Sequence, residues 1–113
     1  MRTPRELLVT VVRRLPRRVL VRGGSMAPTL RDGDVVLARP GAVVRPGELA
    51  LVRWASRPRQ LSVKRAALAF DDGWFVVGDA PTASTDSRTL GPAEVLGPVR
   101  WRLWPRPGRL RAR

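Results

Sequence analysis

The 113-residue chain contains no cysteine, no histidine and no tyrosine, and Lys64 is the single lysine among 22 basic residues. Each absence removes a class of chemistry. Without cysteine there is neither a disulfide nor a thiol nucleophile, and without histidine there is no imidazole base and no usual zinc site. If the chain is an enzyme that needs no cofactor, acid and base work falls to carboxylates, lysine or water, and nucleophilic attack to a hydroxyl or a carboxylate. Long apolar runs are missing too. The longest near the start, Leu7 to Val12, falls far short of the roughly 20 residues a membrane-spanning helix needs. It is followed by Arg13-Arg14 and by no small-residue cleavage site, so it does not read as a secretory signal. The expected location is the cytoplasm.

What is abundant is arginine. The net charge of +13 is concentrated at Arg13, Arg14, Arg17, Arg18 and Arg22, and again at Arg100, Arg102, Arg106, Arg109, Arg111 and Arg113. Such clusters attract nucleic acid or anionic membrane at long range, or are simply solvated ends.

The length fits one domain with a modest core. Thr3-Pro4-Arg5-Glu6 has the grammar of a helix start, with an N-cap threonine, a first-position proline and a glutamate placed to close a capping box. An amphipathic helix over about 4–14 follows, with Leu7, Leu8, Val11, Val12 and Leu15 on one stripe and Pro16 ending the run. The stripe either caps the core or lies on a membrane surface. Beyond Pro16, short apolar runs punctuated by glycine and proline read as a mainly β domain, a small coiled sheet or barrel. Strands are expected at Val19–Arg22, Asp34–Ala38, Glu48–Trp54, Leu61–Ala69, Trp74–Val77 and Val95–Trp104. The predicted organisation is an N-terminal helix over 1–16, a β domain over 17–104 and a disordered arginine-rich tail over 105–113.

Lys64 matters because a buried lysine can lose its proton and act as a base, which arginine cannot. An arginine-biased composition would also leave one lysine behind by accident, so the residue needs a partner. Ser25 lies in Gly23-Gly24-Ser25-Met26-Ala27-Pro28-Thr29, a glycine-rich turn suited to exposing one hydroxyl. At neutral pH an exposed lysine is almost wholly protonated, and keeping it neutral costs roughly 4 to 5 kcal/mol, at about 1.4 per pKa unit. Burial can supply this. In Leu61 to Leu68, strand alternation sends Ser62, Lys64 and Ala66 to one face and Val63, Arg65 and Ala67 to the other, so desolvation rather than Arg65 is expected to depress the lysine.

Four segments in order resemble the type I signal peptidase family of Ser/Lys endopeptidases. They are Gly24-Ser25-Met26-Ala27-Pro28-Thr29-Leu30, then Gly33-Asp34-Val35-Val36-Leu37, then Val63-Lys64-Arg65, and finally the segment from Gly78-Asp79-Ala80 through Ser84-Thr85-Asp86-Ser87-Arg88 to Gly91-Pro92. The resemblance covers about 20–100. It implies Ser25 as nucleophile, Lys64 as base, Ser84 orienting the amine, Asp86 paired with Arg88 to brace the loop, and Asp79 paired with Arg65. The alternative for Asp79, Asp86 and Arg88 is an ordinary turn held by charge pairs. An oxyanion hole would use the Ser25 N–H, with water, another N–H or Thr29 replacing the hydroxyl that some relatives carry where this chain has Gly23. Ala80 stands where the family often has asparagine. Met26, Leu30 and Val63 are candidate walls of a substrate pocket, or plain core.

Within the family the chain is most similar to the small actinobacterial proteases that mature nickel-type superoxide dismutase. That similarity implies removal of an N-terminal propeptide from a precursor, with no cofactor of the protease's own and no specific nucleic-acid partner. Two alternatives stay open. One is a membrane-associated protease acting on exported preproteins, held to the inner face of the membrane through residues 1–16. The other is a non-catalytic basic β module binding nucleic acid or anionic lipid. Self-cleaving repressors also use a Ser/Lys pair, but neither a DNA-binding domain nor a cleavage loop is evident.

Overall fold

The computed structural model describes residues 15–83 and 85–113. The expected helix over 1–16 therefore lies almost wholly outside the described residues. The rest is the mainly β fold read from the sequence. Seven strands form one antiparallel sheet: β1 (Arg17–Leu20), β2 (Val35–Ala38), β3 (Leu49–Arg53), β4 (Ser62–Phe70), β5 (Gly73–Val77), β6 (Glu94–Trp104) and β7 (Gly108–Arg109). Their spatial order is β1-β2-β6-β3-β4-β5, with β7 paired to β6. One short helix, α1 (Ser87–Leu90), interrupts the strands; the hydrophobic pattern gave no sign of it. Among the described residues, no helix is long and apolar enough to cross a membrane.

The sheet is bent by irregular register. The β2–β6 pairing shifts twice, β3–β6 once between Leu51 and Val52, and β4–β5 once between Ala66 and Leu68. Each such bulge bends its strand and increases the local twist. The bending brings the edge strand β1 and the start of β4, which are not neighbours in the sheet, to line one groove.

Strand β3 is apolar at consecutive positions because both its faces are covered. Leu49 and Leu51 enter a core with Val21, Met26, Leu30, Val36, Ala38, Val63, Val99 and Leu110. Ala50 and Val52 enter a second core with Trp54, Ala66, Val76 and Ala93. Trp54 adds a polar tie, its indole N–H donating to the Gly91 carbonyl at 2.9 Å. Lys64 lies opposite Ala50, and Val63 opposite Leu51. Lys64 therefore belongs to a strand whose residues pack into both clusters, Val63 into the first and Ala66 into the second.

The tail over 105–113, expected to be disordered, is instead built into the sheet. β6 outruns β3, so the edge beyond Val99 on β3's side is free, and β7 takes it, pairing Arg109 with Trp101 and Gly108 with Arg102. Leu110 donates its N–H to the Arg100 carbonyl at 2.8 Å and enters the main core. The Arg109 guanidinium sits 5.5 Å from the Trp101 ring centroid, and the Arg113 N–H donates to the Gly47 carbonyl at 3.0 Å. Composition pointed to disorder because one leucine among arginines and prolines is a weak signal; a vacant strand edge and an apolar socket, both distant in sequence, decide otherwise. Truncating that anchor, Leu110→Ala, is expected to lower the unfolding free energy by about 2 to 3 kcal/mol, read as a lower urea midpoint with an unchanged m-value.

Candidate active site

Ser25 is carried by a compact turn that follows β1. The turn starts where Val21 and Asp34 pair, through Val21 N–H to Asp34 O and Gly33 N–H to Val21 O, both at 2.8 Å. Gly23 takes φ +80°, a left-handed conformation that favours glycine, and its N–H donates to Asp32 Oδ1 at 2.7 Å. Met26 and Leu30, 1% and 0% exposed, plug the turn into the core. Ala27 N–H to Gly24 O at 3.1 Å and Leu30 N–H to Met26 O at 2.9 Å tighten it. Ser25 itself is left half-buried in the lining of a groove.

Lys64 meets it there. Its side chain, on a residue only 4% exposed, places Nζ 2.8 Å from Ser25 Oγ. As an ammonium it donates to the hydroxyl; as a neutral amine it accepts the hydroxyl proton. Burial holds the amine below the ordinary lysine value, while the Asp86 carboxylate pulls weakly the other way. Desolvation is thus the dominant influence, as the strand alternation implied.

Arg65 points to the other face and is equally buried. It forms a fork with Asp79, Nε to Oδ1 at 3.1 Å and Nη2 to Oδ2 at 2.6 Å, and its Nη1 donates to the carbonyls of Gly47 and Arg111 at 2.9 and 3.0 Å. Asp79 also accepts from Thr29 Oγ1 at 2.6 Å. Burial of Asp79 works against its charge, but the hydrogen bonds from Arg65 and Thr29 and the cations Arg65 and Arg113 outweigh it and lower its pKa.

Asp86 organises the adjoining loop. It caps α1 by accepting from the Arg88 N–H at 3.0 Å, pairs with the Arg88 guanidinium at 2.6 Å, and accepts from the Gly78 N–H at 3.1 Å. Two residues on, the Ala80 N–H donates to the Ser25 carbonyl at 2.9 Å. The chain from Asp86 through Gly78 to Ala80 thereby fixes the serine's backbone. Gly78 is required by crowding, since a Cβ there would lie 2.6 Å from the Ser25 carbonyl oxygen.

The expected pairs Ser25–Lys64, Arg65–Asp79 and Asp86–Arg88 are all present as contacts. Ser84 lies outside the described residues. Met26 and Val63 line the groove, but Leu30 does not; it is wholly enclosed in the main core, so it is not a pocket wall. Thr29 is also corrected: its hydroxyl is already committed to Asp79 and is not directed at an oxyanion. Sequence reasoning missed the Ala80 N–H and the carbonyls of Gly47 and Arg111, because backbone groups leave no residue-type signature. No group of side chains suited to hold a metal ion occurs among the described residues.

The Asp86 bonds carry a pH signature. Burial raises its pKa, but the hydrogen bonds from Arg88 and Gly78 more than offset this and bring it from 3.8 to about 2. A depressed carboxylate stabilises the fold above its unfolded value and loses that contribution as pH falls through the folded one. Asp86→Asn is therefore expected to cost about 2 kcal/mol at pH 7, with the difference from the parent vanishing as pH falls from about 4 to about 2. Urea unfolding at several pH values measures it.

A search of curated proteins returned no match. A family model described as Peptidase S24-like matches residues 18–97, a span that contains Ser25, Lys64, Asp79 and Asp86. The expected resemblance thus holds at the level of the S24/S26 peptidase superfamily. With most of its length matched, and with the fold described above, the chain belongs to the Peptidase S24-like family.

Proposed function

We propose that the protein is a serine endopeptidase in which Ser25 is the nucleophile and Lys64 the general base. The observation that carries this reading is the 2.8 Å contact between Ser25 Oγ and a lysine amine deprived of water. Neutral Lys64 takes the Ser25 hydroxyl proton as Oγ bonds to the scissile carbonyl carbon. The resulting oxyanion is met by the Ser25 backbone N–H, which has no other hydrogen-bond partner among the described residues. The C–N bond then breaks as the Lys64 ammonium returns its proton to the leaving amine. Water, deprotonated by Lys64, hydrolyses the acyl-enzyme and frees Ser25. Arg65, Asp79, Asp86 and Arg88 position this pair without touching the reacting atoms.

The substrate enters as an extended strand. Among the described residues, β1 pairs only with β2 along one edge, and β5 pairs with β4 only from Arg65 onward, so the outer edge of β1 and the edge of Leu61 to Lys64 have no strand partner there. The groove between these edges, about 520 Å³, is lined by both Ser25 and Lys64. A peptide laid there adds backbone hydrogen bonds to an exposed sheet edge. Its source, in this reading, is the N-terminal propeptide of a cytoplasmic precursor, with nickel-type superoxide dismutase the candidate that the similarity of the short arginine-rich chain supports.

Ser25→Ala and Lys64→Arg are each expected to lower cleavage of such a precursor by about 10³-fold or more, with unchanged circular dichroism. Retained processing by Lys64→Arg would refute the mechanism, since arginine does not give up its proton. In the parent protein kcat/KM should rise with pH to a plateau whose midpoint lies below the ordinary lysine value of 10.5.

A further inference from the structure

The groove is charged in one sense only. Arg17, Arg18, Arg22 and Arg57 line it, and among the described residues no aspartate or glutamate does. None of these four guanidiniums has a hydrogen-bond or ion-pair partner among the described residues. The carboxylates that neutralise arginine elsewhere are committed away from the groove: Glu94 to Arg53, Glu48 to Arg100, Asp86 to Arg88, and Asp79 to Arg65. Asp32, the nearest along the chain, holds the Gly23 N–H and is not part of the lining.

The cations are also arranged with the period of a strand. Val19 and Val21 turn inward to the main core, so Arg18, Leu20 and Arg22 alternate with them on the outward face, and Leu20 remains 49% exposed between the two arginines. A peptide pairing with the edge of β1 shares this alternation. Its side chains on the same face, spaced two residues apart, lie beside Arg18, Leu20 and Arg22 in turn. Opposite charges across neighbouring strands attract, and unpaired guanidiniums in a cleft favour carboxylates.

We propose that the groove selects an extended peptide with an acidic side chain two residues to either side of an apolar one, the carboxylates meeting Arg18 and Arg22 and the apolar group meeting Leu20. The inference rests on the peptidase reading, and it names the substrate class that reading leaves open. A peptide fits the observations better than a nucleic acid because two strand edges that have no strand partner among the described residues flank the groove, and such edges recognise backbone amides.

The test uses three peptides of equal length that differ only in a central Glu-Ala-Leu-Ala-Glu, Gln-Ala-Leu-Ala-Gln or Lys-Ala-Leu-Ala-Lys block. The acidic peptide should be cleaved with kcat/KM about tenfold above the neutral one at low salt, and the preference should shrink at about 0.5 M salt. The exposed double variant Arg18→Glu with Arg22→Glu should reverse the order and favour the lysine peptide. Equal cleavage of all three, or an order unchanged in the double variant, overturns the inference while leaving the peptidase reading intact. If the parent protein cleaves nothing, the peptidase reading fails instead, and fluorescence anisotropy with Ser25→Ala decides the groove's selectivity. Tighter binding of the acidic peptide, lost in the charge-reversed protein, supports it. Equal binding of the three peptides, or binding of a single-stranded oligonucleotide in place of the acidic peptide, overturns it.

Discussion

A lysine amine held out of water is the constraint around which this molecule is arranged. Placing it on an exposed loop would be simple and would leave it protonated. Placing it on β4, beneath the Ser25 turn and beside the packed β3, depresses its pKa by desolvation. The charge of Asp86 opposes that depression, yet its carboxylate is engaged by Arg88 and the Gly78 N–H. An unpaired anion there would favour the protonated amine more strongly. Keeping Asp86 busy therefore serves two purposes, bracing the loop and limiting the field at Lys64.

The same economy governs Arg65. A guanidinium buried next to Lys64 would be costly if left unpaired, and breaking a buried ion pair is strongly destabilising. Here it is satisfied on every side by Asp79, Gly47 and Arg111. Successive residues of one strand thus carry opposite assignments: Lys64 is deprived of compensating groups, Arg65 is surrounded by them. That contrast separates a desolvated amine from a fully paired cation.

Much of this was legible in the chain. The strand positions followed from short apolar runs between turn residues, and the Ser25–Lys64 pair from a glycine-rich turn and the single lysine. The separation of Lys64 from Arg65 came from strand alternation. What stayed hidden depends on contacts between distant segments. The tail looked disordered because its composition is polar, whereas its order comes from the free edge of β6 and the socket for Leu110. Thr29 looked available as a donor because its commitment to Asp79, fifty residues away, has no local sign. Leu30 looked like a pocket wall because proximity to Ser25 in sequence does not reveal which way a turn residue faces.

Strand β3 has a further consequence. Alternate residues of its five-residue span feed two separate apolar clusters, so a disruption of β3 loosens both. Because Lys64 is hydrogen-bonded into the neighbouring strand opposite Ala50, any such loosening also draws the amine away from the hydroxyl. The alignment of the Ser25–Lys64 pair and the integrity of the sheet are then lost together.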